Sequence, residues 1–290
     1  MTTLHGSCLC GVVRFEVTGP LQMMLHCHCS RCRKEHGAPF ATFAVSAADD
    51  LRFTSGEDAI VAGAAPPGGP RHFCRHCGSP APSSQPSMGL AFIPVGLLAE
   101  DPGLRPQGHL FVGSKAPWHV IADTLPQHAK YPPEFGDAPS VPDREPVKVA
   151  PGHAAGSCLC GSVTYEFSQP MAMFQCHCSR CRRARGAAHG ANIFCKAQDF
   201  HWNSGEELVV DYKLPEAKYY GVAFCRQCGG KVPRISVERG IAVIPASGLD
   251  TDPGITPQAH IFTASKAPWY EIADSITQYP EGPPSFGPPR

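Results

Sequence analysis

The sequence lacks a surplus of either charge, because lysine plus arginine and aspartate plus glutamate number 25 each. No global field steers it towards nucleic acid or an anionic membrane surface, so a charged ligand must be met by a local patch. It also lacks any run near the roughly 18 apolar residues of a membrane span. Its opening, MTTLHGSCLCG, has neither the basic nor the apolar region of a secretory signal. These absences lead to the expectation of a soluble, cytoplasmic protein without a membrane partner. Long uninterrupted helices are disfavoured too, since 31 prolines and 29 glycines punctuate the chain. A mainly β fold of short elements is expected.

What is present is cysteine, 15 residues in 290, arranged in a pattern that occurs twice. GSCLCG begins at Gly6 and again at Gly156, CHCSRCR at Cys27 and Cys176, and FCRHCG at Phe73 answers FCRQCG at Phe224. Late in each copy, HLFVGSKAPWHVIAD from His109 matches HIFTASKAPWYEIAD from His260. Ordered self-similarity at one period is the mark of a tandem repeat. The expected organisation is a first domain at 1–130, a proline-rich linker at 131–153, and a second domain at 154–290 with a proline-rich tail. Within each copy, GVVRFEV and GSVTYEF alternate as strands do, and CSRCRKEHG and CSRCRRARG can begin a short helix.

In a reducing compartment, clustered cysteines at short spacing point to metal rather than to disulfides. Zinc takes thiolate or imidazole ligands in a tetrahedron, and two cysteines a few residues apart grip one ion from a single turn. Cys74 with Cys77, and Cys225 with Cys228, are each half of such a site. Cys8 with Cys10, and Cys158 with Cys160, can complete them. The remaining cysteines have odd valency: Cys27, Cys29 and Cys32, then Cys176, Cys178 and Cys181. Three protein ligands with an open fourth position is the arrangement of a catalytic zinc. The alternatives are buried or disulfide-linked cysteines for the fours. For the triplets they are completion by His26, His28 or His177, or a metal-free redox cluster.

These motifs, GSCLCG, CHCSRC, FCRHCG and the late SKAPW segment, resemble the glutathione-dependent formaldehyde-activating enzyme family, which includes centromere protein V. The resemblance runs over nearly the whole chain, twice. It implies two tandem Mss4-like (β-tent) zinc-binding domains. By motif it implies structural zinc on Cys8, Cys10, Cys74 and Cys77, and on Cys158, Cys160, Cys225 and Cys228. It implies labile catalytic zinc on Cys27, Cys29 and Cys32, and on Cys176, Cys178 and Cys181, up to four ions per chain. The implied activity is carbon–sulfur lyase chemistry that joins glutathione, or another thiol, to formaldehyde or a similar aldehyde. The alternative from another class is a non-catalytic, zinc-stabilised module for a protein partner.

Glutathione carries two carboxylates, so its site should offer cations. Arg31, Arg33 and Lys34 flank the first triplet, and Arg180, Arg182, Arg183 and Arg185 the second, although a solvated basic face is the plain alternative. Lys115 and Lys266 are further donors or surface charges. Trp118 and Trp269 read as packing residues, and His109 and His260 as hydrogen-bonded core residues or site groups. Phe40 in the first copy aligns with His189 in the second, which could act there as a ligand or base. Cys195 aligns with Ser46 and reads as a core or free thiol. A duplicated domain can reproduce within one chain the interface of a homodimer, so pairing of the two copies is expected.

Overall fold

The computed structural model describes residues 3–64, 71–135 and 147–283. Part of the expected linker (136–146), of the proline–glycine stretch before FCRHCG (65–70) and of the C-terminal tail (284–290) lies outside the described residues. The fold is mainly β and consists of two repeated halves, as the composition and the repeats lead one to expect.

In the N-terminal half, β1 (Leu4–Ser7), β2 (Arg14–Val17) and β5 (Leu51–Ser55) form an antiparallel sheet in the order β1-β2-β5. A second sheet has the order β10-β3-β4-β9-β8, from β3 (Met23–Cys27), β4 (Ala41–Ala47), β8 (Ser83–Gln85), β9 (Leu90–Pro94) and β10 (His109–Leu110). The short β10 runs parallel to β3, placing His109 beside His26 and Leu110 beside Cys27. A hairpin of β6 (Ile60–Gly63) and β7 (Arg71–Cys74) carries the first cysteine of FCRHCG.

The C-terminal half repeats this plan. β11 (His153–Ser157), β12 (Thr164–Ser168) and β15 (Phe200–Ser204) make the small sheet. β13 (Ala172–Cys176), β14 (Gly190–Lys196), β19 (Arg234–Ser236), β20 (Ile241–Pro245) and β21 (Ala259–Ile261) make the large one. The hairpin of β16 (Val209–Lys213) and β17 (Gly221–Cys225) gains a third strand, β18 (Lys231–Val232).

Each half has one α-helix of seven residues, α1 (Ser30–His36) and α2 (Ser179–Arg185). A helix this short does not stand alone in water, and both ends of each are fixed locally. Cys29 and Cys178 cap the N-termini, accepting from the amides of Cys32 and Cys181 at 3.4 Å. Gly37 (φ 62°) and Gly186 (φ 56°) end them in the left-handed conformation that glycine adopts without penalty.

The halves pack through these helices. Gly96, in the turn after β9, lies so close to the end of α2 that an added Cβ would stand 2.3 Å from the Ala187 nitrogen. The tryptophans cross over: Trp269 joins the core of the N-terminal half with Phe15, Met24 and Ile93, and Trp118 joins that of the C-terminal half with Tyr165, Met173 and Ile193. They are packing residues, each in the other half's core.

Candidate metal centres

Four groups of cysteine sulfurs converge, each with its Sγ atoms within 4.8 Å of one another: Cys8, Cys10, Cys74 and Cys77; Cys158, Cys160, Cys225 and Cys228; and the triplets Cys27, Cys29, Cys32 and Cys176, Cys178, Cys181. All 15 cysteines are free. Tetrahedral zinc–sulfur bonds of about 2.3 Å set sulfurs about 3.8 Å apart. The pairs here fit that spacing, with Cys8–Cys10 at 3.3 Å, Cys10–Cys74 at 3.8 Å, Cys160–Cys225 at 4.0 Å, and Cys27–Cys29 and Cys176–Cys178 at 3.6 Å. None approaches the roughly 2 Å of a disulfide. The donor chemistry and spacing suit a thiophilic ion such as zinc.

The fours are built from distant segments. The turn after β1 brings Cys8 and Cys10 onto the knuckle after β7, where the Leu9 amide donates to Ser79 Oγ at 3.0 Å. Each triplet is local instead, running from the end of a strand through a capping cysteine to the first turn of a helix. Among the described residues, no histidine or carboxylate joins either triplet.

Within each triplet one thiol is held ionised by its neighbours. A hydrogen bond from Cys27 lowers Cys29 well below the usual thiol range, and one from Cys176 brings Cys178 down to about 3. Cys27 and Cys176, as the donors, are raised. Such a cluster takes up a cation by losing its remaining protons, so metal affinity weakens as the pH is lowered.

The histidines inside the CHC motifs point away from the sulfurs. His28 Nε2 lies 2.8 Å from His109 Nδ1, and His109 Nε2 lies 2.9 Å from Asp123 Oδ1. His177, His260 and Asp274 repeat the chain at 2.8 and 3.0 Å. The carboxylate can only accept, so His109 and His260 donate from Nε2 and accept at Nδ1 from His28 and His177. Burial lowers His28 to about 2 and His177 to about 3, so both are neutral. Each relay ties the backbone between two cysteines to β10 or β21 and the segment beyond. His109 and His260 are therefore buried positioning groups.

His189, aligned with Phe40, lies outside the second triplet, in a buried aromatic cluster between the halves. Its ring is 4.7 Å from that of His177 and 5.4 Å from Tyr270, and Phe40 approaches it edge-on at 5.7 Å. Cys195 is a core residue of the C-terminal half, its thiol pushed up to about 12 by burial.

The expected cationic face is largely an internal staple. Lys34 Nζ is buried and reaches Ser157 O at 2.9 Å, Gly248 O at 2.8 Å and Asp250 Oδ1 at 2.8 Å, all in the other half. Arg33 donates to His28 O and Ser247 O, and Arg185 to Asn192 Oδ1. A solvated basic face fails for these three because helix packing turns them inward. Of the cations flanking the triplets Arg180 alone stands exposed. Lys115 and Lys266 donate to the carbonyls of His119 and Tyr270.

The groups that do reach triplet sulfurs escape the sequence reading. Arg71 Nη2 lies 3.9 Å from Cys32 Sγ, and Tyr220 Oη lies 3.7 Å from Cys181 Sγ. Both come from the hairpin before FCR(H/Q)CG, at positions that do not align.

Residues 3–114 and 153–265 both match the model of the family described as glutathione-dependent formaldehyde-activating enzyme. The chain belongs to that family. A Halomonas elongata protein named "Putative glutathione-dependent formaldehyde-activating enzyme" is 32% identical over 127 residues, covering 41% of this chain and 80% of the relative. A Rhodobacter sphaeroides protein of known crystal structure shares 22% identity, covering 36% of this chain and 97% of its own, with a TM-score of 0.28. The two matched segments give the chain two copies of the glutathione-dependent formaldehyde-activating enzyme module, each with one four-cysteine and one three-cysteine group. No helix among the described residues is long and apolar enough to cross a membrane.

Proposed function

We propose that this chain is a zinc-dependent enzyme of the carbon–sulfur lyase type, joining glutathione or a related thiol to formaldehyde or a similar aldehyde. The observation that carries it is the contrast between the closed four-cysteine groups and the triplets, which place three sulfurs together with no fourth protein donor among the described residues. On this reading Cys8, Cys10, Cys74 and Cys77, and Cys158, Cys160, Cys225 and Cys228, hold structural zinc. Cys27, Cys29 and Cys32, and Cys176, Cys178 and Cys181, hold the catalytic ions. The units are a domain at 1–130, a linker at 131–153 and a domain at 154–290. Fifteen unpaired cysteines suit a reducing cytoplasm.

A zinc ion on a triplet would supply positive charge that favours the thiolate of a thiol in its fourth position. The protein's own part is orientation and charge. The His28–His109–Asp123 relay and its counterpart hold the ligand turns rigid, and Arg71 or Tyr220 donates to a ligand sulfur. The substrate sulfur attacks the carbonyl carbon, a carbon–sulfur bond forms, the π electrons move to oxygen, and that oxygen takes the proton the thiol gave up. The product is the S-hydroxyalkyl adduct with no atom lost. Thiols add to formaldehyde unaided, so catalysis consists of raising the thiolate fraction and aligning it.

Two measurements test this. Purified protein should carry about four zinc ions per chain, or about two if the triplets are empty. Formaldehyde loss in the presence of glutathione should exceed the spontaneous rate and fall on Cys29→Ser, on Cys178→Ser, or on both. Zinc-loaded protein with no excess rate would remove the enzyme reading and leave the alternative of a binding module for a protein partner.

A further inference from the structure

The two triplets differ in one linked set of residues. In the N-terminal half Glu35, on α1, is 6% exposed and pairs with Arg71 Nη1 at 3.1 Å. The other arm of that guanidinium faces Cys32 Sγ, and Arg71 Nε is buried without a hydrogen-bond partner. The aligned residues of the C-terminal half are Ala184, at the same step of α2, and Val222, three residues before Cys225 as Arg71 is before Cys74. Both are buried in one apolar cluster. The ion pair has thus been exchanged for an apolar pair as a unit. Its place at the sulfurs is taken by the Tyr220 hydroxyl, which donates without carrying charge.

The difference acts on charge at the metal. Three thiolates around a divalent cation carry one net negative charge, and a thiolate in the fourth position makes it two. A guanidinium on a ligand sulfur offsets that charge, and a neutral phenol does so far less. A carboxylate on the incoming thiol adds a further negative charge; among the described residues the first site alone has a cation donating to a ligand sulfur, whereas Arg185 of the second acts on Cys181 through space and donates to Asn192 instead.

Resting on the reading that the triplets bind metal and a thiol, we propose that the two centres are specialised. The first, through Arg71, takes thiols that bear a carboxylate, and the second, with Tyr220, takes thiols without regard to that charge.

The test uses full-length protein loaded with cobalt(II), whose thiolate bands report a thiol entering the fourth position. The four-cysteine groups have no free position and stay silent. Cys178→Ser leaves the first centre open and Cys29→Ser leaves the second, and each is titrated with mercaptoacetate and with 2-mercaptoethanol. The first centre should prefer mercaptoacetate by about tenfold, the size of one charge-assisted contact, and the second should show a ratio near one. Arg71→Val alone would strand a buried carboxylate, so the informative variant is Glu35→Ala with Arg71→Val, which installs the pair the C-terminal half already accommodates. It should abolish the preference of the first centre while the cobalt bands persist. Equal preference at both centres, or a preference that survives the double substitution, overturns this proposal alone. Failure of cobalt to bind the triplets overturns it together with the reading beneath it.

Discussion

Trp118 and Trp269 are buried in each other's halves: Trp118, 4% exposed, packs on Tyr165 and Met173 of the C-terminal half, and Trp269, 2% exposed, on Phe15 and Met24 of the N-terminal half. Each leaves the SKAPW segment of its own repeat and completes the opposite core. The halves therefore share their apolar burial, and a large part of what stabilises one is encoded in the sequence of the other.

Truncation of one tryptophan should consequently be felt across the chain. Trp118→Ala opens a cavity among Phe167, Ile193 and Ile244 and should cost about 3–5 kcal/mol. Hydrogen exchange should quicken in β13, β14 and β20, more than in β3, β4 and β9 of its own repeat. Quickening confined to the N-terminal half would contradict the exchange of cores.

The Lys34–Asp250 pair should behave as a buried ion pair between the halves. Side-chain exposures are 3% and 8%, and Lys34 also donates to two carbonyls of the C-terminal half. Breaking such a pair from one side strands a charge and costs about 3–5 kcal/mol, whereas replacing both partners is far milder. Lys34→Met should lower the urea midpoint strongly, and Lys34→Met with Asp250→Leu should recover much of the loss. Additive losses would show that the two residues do not act as a pair.

The cysteine groups were legible in the sequence because the ligand spacing is local and the repeat supplies an internal check: every cysteine that converges in space recurs in both copies. The β-rich class was legible for a similar reason, since strand alternation and glycine turns are short-range signals. What could not be read was direction across the interface. Arg33, Lys34 and Arg185 look like a basic face until α1 and α2 are packed together. Arg71 lies on a hairpin far from Cys32 in sequence, and its only trace was the joint loss of Glu35 and Arg71 in the second copy. That trace becomes meaningful once the helix and hairpin are known to touch.

His189 offers a gain in stability. It is 1% exposed, and neither ring nitrogen finds a partner. An unmet buried polar group costs about 1–3 kcal/mol, and the first repeat accommodates Phe40 at the aligned position, 3% exposed. His189→Phe should raise stability by an amount in that range, read from the urea midpoint at neutral pH. A loss would mean that the imidazole is satisfied by a bound molecule.

Acid should unfold the chain by way of its buried imidazoles, and His119 allows the effect to be isolated. Burial lowers His119 to about 3 and His36 to about 4, against about 6.5 in an unfolded chain. Between those values the unfolded chain binds a proton that the folded chain refuses. Stability contributed by each neutral ring is therefore complete above about pH 6.5 and declines as pH falls towards the folded value, at about 1.4 kcal/mol per pH unit for each histidine. Protonation of the cysteine groups adds to the same acid limb, so wild type alone does not separate the causes. His119→Tyr installs the residue found at the aligned Tyr270 and removes one titrating ring while leaving every cysteine in place. Its stability measured from pH 6 to pH 4.5 should fall less steeply than that of wild type by about 1.4 kcal/mol per unit. Parallel slopes would show that His119 is protonated in the folded protein and contributes nothing to the acid limb.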